Sequence, residues 1–123
     1  MQRALPIAMG LAAVLSTAAA RAQSTPDWQV AGRLGLATFI VVPETAAADP
    51  LYYDRAIAAL CPAEASCWLR FFTNTSGAAL GLPLPEAIER EPTAIFQRSA
   101  KNGGRTMFRW ACRLQGPGGG DCF

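Results

Sequence analysis

The chain contains no histidine among its 123 residues. That removes Ser-His-Asp and Cys-His nucleophile systems and most catalytic zinc sites, which need an imidazole as base or ligand. Thiol chemistry would have to come from Cys61, Cys67, Cys112 and Cys122. Their spacings are C-x5-C and C-x9-C, neither the C-x2-4-C of structural zinc nor the C-x-x-C of a redox pair. An even cysteine count in an exported chain reads instead as two disulfides. Local pairing, Cys61 with Cys67 and Cys112 with Cys122, fits the breakers between them: Pro62 in the first loop, Gly116-Pro117-Gly118-Gly119-Gly120 in the second. A crossed Cys67–Cys112 bridge is the rival, because both residues fall on expected core faces. Oxidised cysteines leave no thiolate nucleophile.

The remaining chemistry-bearing residues are weaker candidates. Glu86, Glu89 and Glu91 are the nearest thing to a carboxylate pair, but acidic residues at a helix start are favoured by its dipole alone. Lys101, the single lysine, falls in a turn sequence. Gly118 to Gly120 has no helix behind it to cradle a phosphate. The expectation is therefore no enzyme, no cofactor, no metal and no nucleotide.

One pattern does suggest binding. Arg105, Arg109 and Arg113 recur at even spacing, so on a strand they share one face with Met107 and Ala111. Thr106, Phe108, Trp110, Cys112 and Leu114 then form the other face, read as core. If Arg70, Trp68 and Phe72 open onto the arginine side, the result is a mixed cationic and aromatic platform of the kind that takes anionic or stacked ligands. The bland alternative has the same arginines solvating an exposed face and pairing with Glu86, Glu89 or Glu91.

The elements that must position these residues follow a long N-terminal preamble. Arg3, the apolar run from Ala4 to Ala20, and Ala20-Arg21-Ala22 have the order of a cleaved secretory signal. The run is short for a membrane span, which needs about 20 apolar residues. Residues 1–22 are thus expected to be a signal peptide and 23–123 a single exported domain, periplasmic or extracellular. Loss of Arg3 and Arg21 leaves 9 basic residues against 9 acidic ones. A domain near neutrality is not a general polyanion binder, so any attraction must be local.

Within the domain, Thr38 to Val42 is β-branched and aromatic and reads as a buried strand ended by Pro43. Asp49-Pro50 opens a helix with Tyr53, Ala56, Ile57 and Leu60 on its apolar face, stopped by Pro62. Cys67 to Thr73 is a strand with Cys67, Leu69 and Phe71 on one side and Trp68, Arg70 and Phe72 on the other. Pro85 to Glu91 is a short helix with Ile88 inward. Thr93 to Arg98, Asn102-Gly103-Gly104 and Arg105 to Leu114 form a hairpin. The order β-α-β-(α)-β-β predicts an α+β domain with a small mixed sheet of about four strands and helices on one face.

Cys61-x5-Cys67-Trp68, Leu82-Pro83-Leu84-Pro85, the run Phe108-Arg109-Trp110-Ala111-Cys112-Arg113 and the closing Cys122-Phe123 together resemble small exported proteobacterial proteins of unassigned function. The resemblance implies a periplasmic setting and names no chemistry. The function expected from the sequence is a non-enzymatic binding or interaction module for an anionic envelope polymer or a periplasmic protein. Inhibition of a secreted hydrolase and a structural envelope role are the alternatives.

Overall fold

The computed structural model describes residues 2–4, 10, 26–115 and 121–123. The expected signal peptide, apart from residues 2–4 and 10, and the glycine-rich stretch 116–120 lie outside the described residues. Among the described residues, no helix is long and apolar enough to cross a membrane.

Five strands form one mixed sheet in chain order: β1 (Gln29–Leu34), β2 (Ala37–Val41), β3 (Cys67–Phe72), β4 (Pro92–Ser99) and β5 (Arg105–Trp110). Four of them follow the sequence expectation, and β1 is the additional one. It turns back onto β2 through Gly35-Leu36, with Leu34 opposite Ala37. Gly35 has φ +60°, which a tight two-residue hairpin asks of its first central position. A bulge interrupts β1 between Val30 and Gly32. Gly32 sits at φ +151°, and a Cβ there would lie 2.6 Å from Leu82 Cδ1, so any other residue would strain the backbone and displace that side chain.

The helix α1 (Pro50–Leu60) carries the chain from β2 to a parallel β3. Asp49 caps it, its carboxylate accepting from the Leu51 amide at 3.0 Å, and Pro50 occupies the first turn. The apolar face includes the buried Tyr52, Tyr53 and Ala56. They pack on Ile40, Leu69, Phe71, Ala94 and Phe96. Tyr53 is fully buried, meets the Phe71 ring edge-on at 5.1 Å, and donates its hydroxyl to the Ala47 carbonyl at 2.7 Å. Each such aromatic contributes about 1.5–3 kcal/mol on burial.

The expected placement of the helices on one face holds for α1 alone. The four-residue α2 (Glu86–Glu89) sets Ile88 and the preceding Leu84 against Val41 and Phe72. Those strand residues alternate with Ile40 and Phe71, so they belong to the opposite face. Apolar side chains there need cover, and the connector from Thr73 to Pro85 brings it.

Both disulfides take the local pairing. Cys61–Cys67, with Cα atoms 5.8 Å apart, ties the end of α1 to the start of β3. Cys112–Cys122, at 5.0 Å, ties the C-terminal residues beside β5. The β4–β5 hairpin turns through Ala100–Asn102, with Gly103 and Gly104 at φ +69° and +73°, the left-handed region that glycine enters without steric cost.

Candidate functional site

Cross-strand register decides which of the expected binding residues meet. Arg70 on β3 stands opposite Ile95 on β4, which stands opposite Arg109 on β5. Trp68, Gln97 and Met107 form the next row, and Ser99 pairs with Arg105 beyond it. Directly opposed residues project to the same side of a sheet. Trp68, Arg70, Arg105 and Arg109 therefore share one face, the one that α1 leaves free. The cationic and aromatic platform forms from these four.

Arg113 does not join it. The expected strand to Leu114 stops at Trp110: the Ala111 amide makes a last bond to the Thr93 carbonyl at 2.8 Å, and Cys112–Leu114 wind into a 3-10 turn. The tether of Cys112 to Cys122, and its amide bond to the Phe123 carbonyl at 2.8 Å, pull the chain off the strand line. Arg113 instead donates to the Pro92 carbonyl at 3.0 Å. Arg109 keeps its place in the row but is engaged, donating to Asp121 Oδ1 at 3.3 Å and to the Cys122 carbonyl at 3.2 Å.

Arg70 and Arg105 are the exposed cations of the platform, and neither forms a salt bridge among the described residues. Between their rows lie Trp68, 37 % exposed, and Met107, 38 % exposed. Two shallow hollows of about 320 Å³ each mark this face. Phe39, Arg70, Phe72, Glu89 and Ile95 contribute to one. Trp68, Gln97, Arg105 and Met107 contribute to the other. The first has an aromatic wall, since the Phe39 and Phe72 rings stack at 6.1 Å. Phe39, Ile95 and Gln97 were not singled out by sequence, and Glu89 was weighed only as a catalytic carboxylate or an arginine partner; their place here depends on the fold, which intrastrand alternation does not supply.

The opposite side of β5 also departs from expectation. Phe108 was expected to be buried and is 39 % exposed. Trp110 is partly buried, its indole N–H donating to the Ala47 carbonyl at 3.1 Å. Strand β5 lies at the sheet edge, where the Tyr53 ring centroid stands 5.7 Å from that of Phe108 and 6.2 Å from that of Trp110.

Two of the three acidic residues weighed for catalysis have other partners. Glu86 pairs with Arg90 one helical turn on. Glu91 accepts from the Thr75 and Thr73 hydroxyls and the Thr75 amide, and these bonds hold its carboxyl below its ordinary pKa. Lys101 is exposed in the hairpin turn. Among the described residues no group of three histidine, cysteine or carboxylate side chains could hold a metal.

A larger hollow, about 780 Å³, lies beside Asp27, Trp28, Asp49, Tyr52 and Arg55. Several of its polar groups are engaged. Asp27 accepts from the Tyr52 hydroxyl, Arg55 lies 5.7 Å above the Tyr52 ring, and Asp49 caps α1. Burial and then the Asp27 bond push the Tyr52 phenol well above its usual pKa, so it stays a neutral donor. Volume alone does not make this the better site.

No protein-family model matches the chain, and comparison with curated proteins and with solved structures gives no match.

Proposed function

We propose that this chain is an exported, non-enzymatic binding domain that takes an anionic partner on the open half of its sheet. The observation that carries the reading is the pair Arg70 and Arg105, exposed and free of salt bridges among the described residues, on either side of Trp68 and Met107. Arginine suits such a role because its planar fork makes paired hydrogen bonds to carboxylate or phosphate. The charge balance of residues 23–123 is even, so the attraction is local and weakens with salt, as the Debye length falls below about 10 Å above 0.1 M.

Export is supported by the order of Arg3, the apolar run and Ala20-Arg21-Ala22, and it fits the two disulfides. N-terminal sequencing of the protein from its producing cell should start at residue 23, within two residues. A start at Met1 in cytoplasmic extract would contradict it. For binding, a double Arg70→Gln, Arg105→Gln variant should melt with the parent and lose retention on a carboxylated matrix at low salt. Retention equal to the parent's would remove the reading's residue-level support.

A further inference from the structure

The open face is not uniformly cationic, and its layout narrows the ligand. Arg70 and Arg105 lie two strands apart and about four residues apart along the strand direction, which places their Cα atoms about 16 Å from each other. The floor between them is Trp68, Gln97 and Met107, which bring no positive charge. Arg109, the third cation of the face, is paired with Asp121. Glu89 adds a carboxylate to the rim of the Arg70 hollow.

A polyanion with evenly spaced charges would set its middle charges over Trp68 and Met107, away from any free cation. A charge desolvated there without a partner is costly. A ligand with an apolar centre and separated negative ends matches the same surface without that cost. An extended peptide advances about 3.3 Å per residue and presents every second side chain to one side. Residues i and i+4 then stand about 13 Å apart on one side, with i+2 between them. Long carboxylate and guanidinium side chains span the rest.

We infer, building on the binding reading above, that the ligand is an extended acidic peptide segment. One apolar side chain seats on Trp68 and Met107, and carboxylates two residues to either side meet Arg70 and Arg105. The segment belongs to a partner protein of the exported compartment. Glu89 opposes its Arg70 end by like charge and thereby sets where the acidic residue falls.

Titration calorimetry of the disulfide-intact protein at low salt tests this with defined probes. The first is a short acetylated, amidated peptide with leucine midway between two glutamates four residues apart. The others are the same peptide with serine for leucine, the same with glutamine for both glutamates, polyglutamate, and dextran sulfate. The leucine peptide should bind, the serine and glutamine versions each about tenfold more weakly, a difference that corresponds to about 1.4 kcal/mol. Trp68→Ala should erase the leucine preference while leaving glutamate dependence in place, and Glu89→Gln should tighten the leucine peptide. Because Trp68 and Glu89 are exposed, both variants are expected to fold, and a thermal melt checks this. Equal binding of leucine and serine peptides, or dextran sulfate binding more tightly than the leucine peptide, would overturn the peptide inference and leave the anionic reading standing. No binding by any acidic probe would overturn both.

Discussion

The two faces of this sheet are made by the same strands and finished in different ways. On one, Ile40, Leu69, Phe71, Ala94 and Phe96 lie under the eleven-residue α1. On the other, the four-residue α2 and Leu84 cover Val41 and Phe72, while Trp68, Arg70 and Met107 stay exposed. A face closed by a long helix gains its free energy from apolar burial and tolerates little change. A face left half open carries side chains that folding does not need, and such side chains are available for recognition. On the proposed reading, the difference separates residues that hold this fold from residues that bind a partner.

The sharpest way to break that contrast is to truncate one aromatic on each face. Phe71→Ala removes a fully buried ring and should cost about 3–5 kcal/mol in denaturant unfolding. Trp68→Ala, two strands' width from the edge but on the open side, should cost well under about 1 kcal/mol. Equal losses would mean that the open face is also core.

The disulfides extend the comparison. Loss of Cys61–Cys67 by double alanine replacement should cost about 2–3 kcal/mol from loop entropy. Both of those cysteines are also buried against the α1 face, at 5 % and 9 % exposure, so their loss costs packing as well. Cys112 is exposed and Cys122 only partly buried, so the second pair should cost less. Thermal melts of the two double variants check the order. A smaller effect is expected from Trp110→Phe, which keeps a ring beside Tyr53 and deletes the bond to the Ala47 carbonyl; about 1 kcal/mol should be lost.

Much of the closed face was legible because its signals are local. Thr38 to Val42 is a β-branched run, Asp49-Pro50 is a cap followed by a first-turn proline, and Asn102-Gly103-Gly104 is turn chemistry. The local disulfide pairing followed from loop length and breakers. Strand β1 escaped notice because Gly32 and Arg33 interrupt its apolar pattern, and its conformation depends on pairing with β2 across Gly35. The extent of β5 was overread for a related reason. Alternation continues through Arg113 and Leu114 in sequence, but the Cys112–Cys122 tether ends the strand at Trp110. That same long-range constraint takes Arg113 out of the candidate site. The burial of Phe108 was misjudged because intrastrand alternation says which side a residue takes, and says nothing of whether a helix reaches over it.

The smallest effect is expected from pH. Hydrogen bonds from Thr75 and Thr73 lower the Glu91 pKa in the folded protein below its ordinary 4.5. A lowered folded value means that the ionised form favours the native state. The Glu91 contribution is thus fully present above about pH 4.5 and is lost as pH falls through the folded value. Glu91→Gln should flatten the acid limb of a stability–pH curve measured by urea unfolding. An unchanged acid limb would show that the clasp on residues 73–75 adds nothing to folding.

The separation of a stabilising face from a binding face is tested most directly by amide and side-chain NMR mapping of the leucine-bearing acidic peptide. Perturbations should concentrate at Trp68, Arg70, Gln97, Arg105 and Met107, with the signals of Tyr53, Ala56 and Phe71 unmoved. Perturbations centred on Trp28, Tyr52 and Arg55, or on the buried α1 face, would contradict that separation.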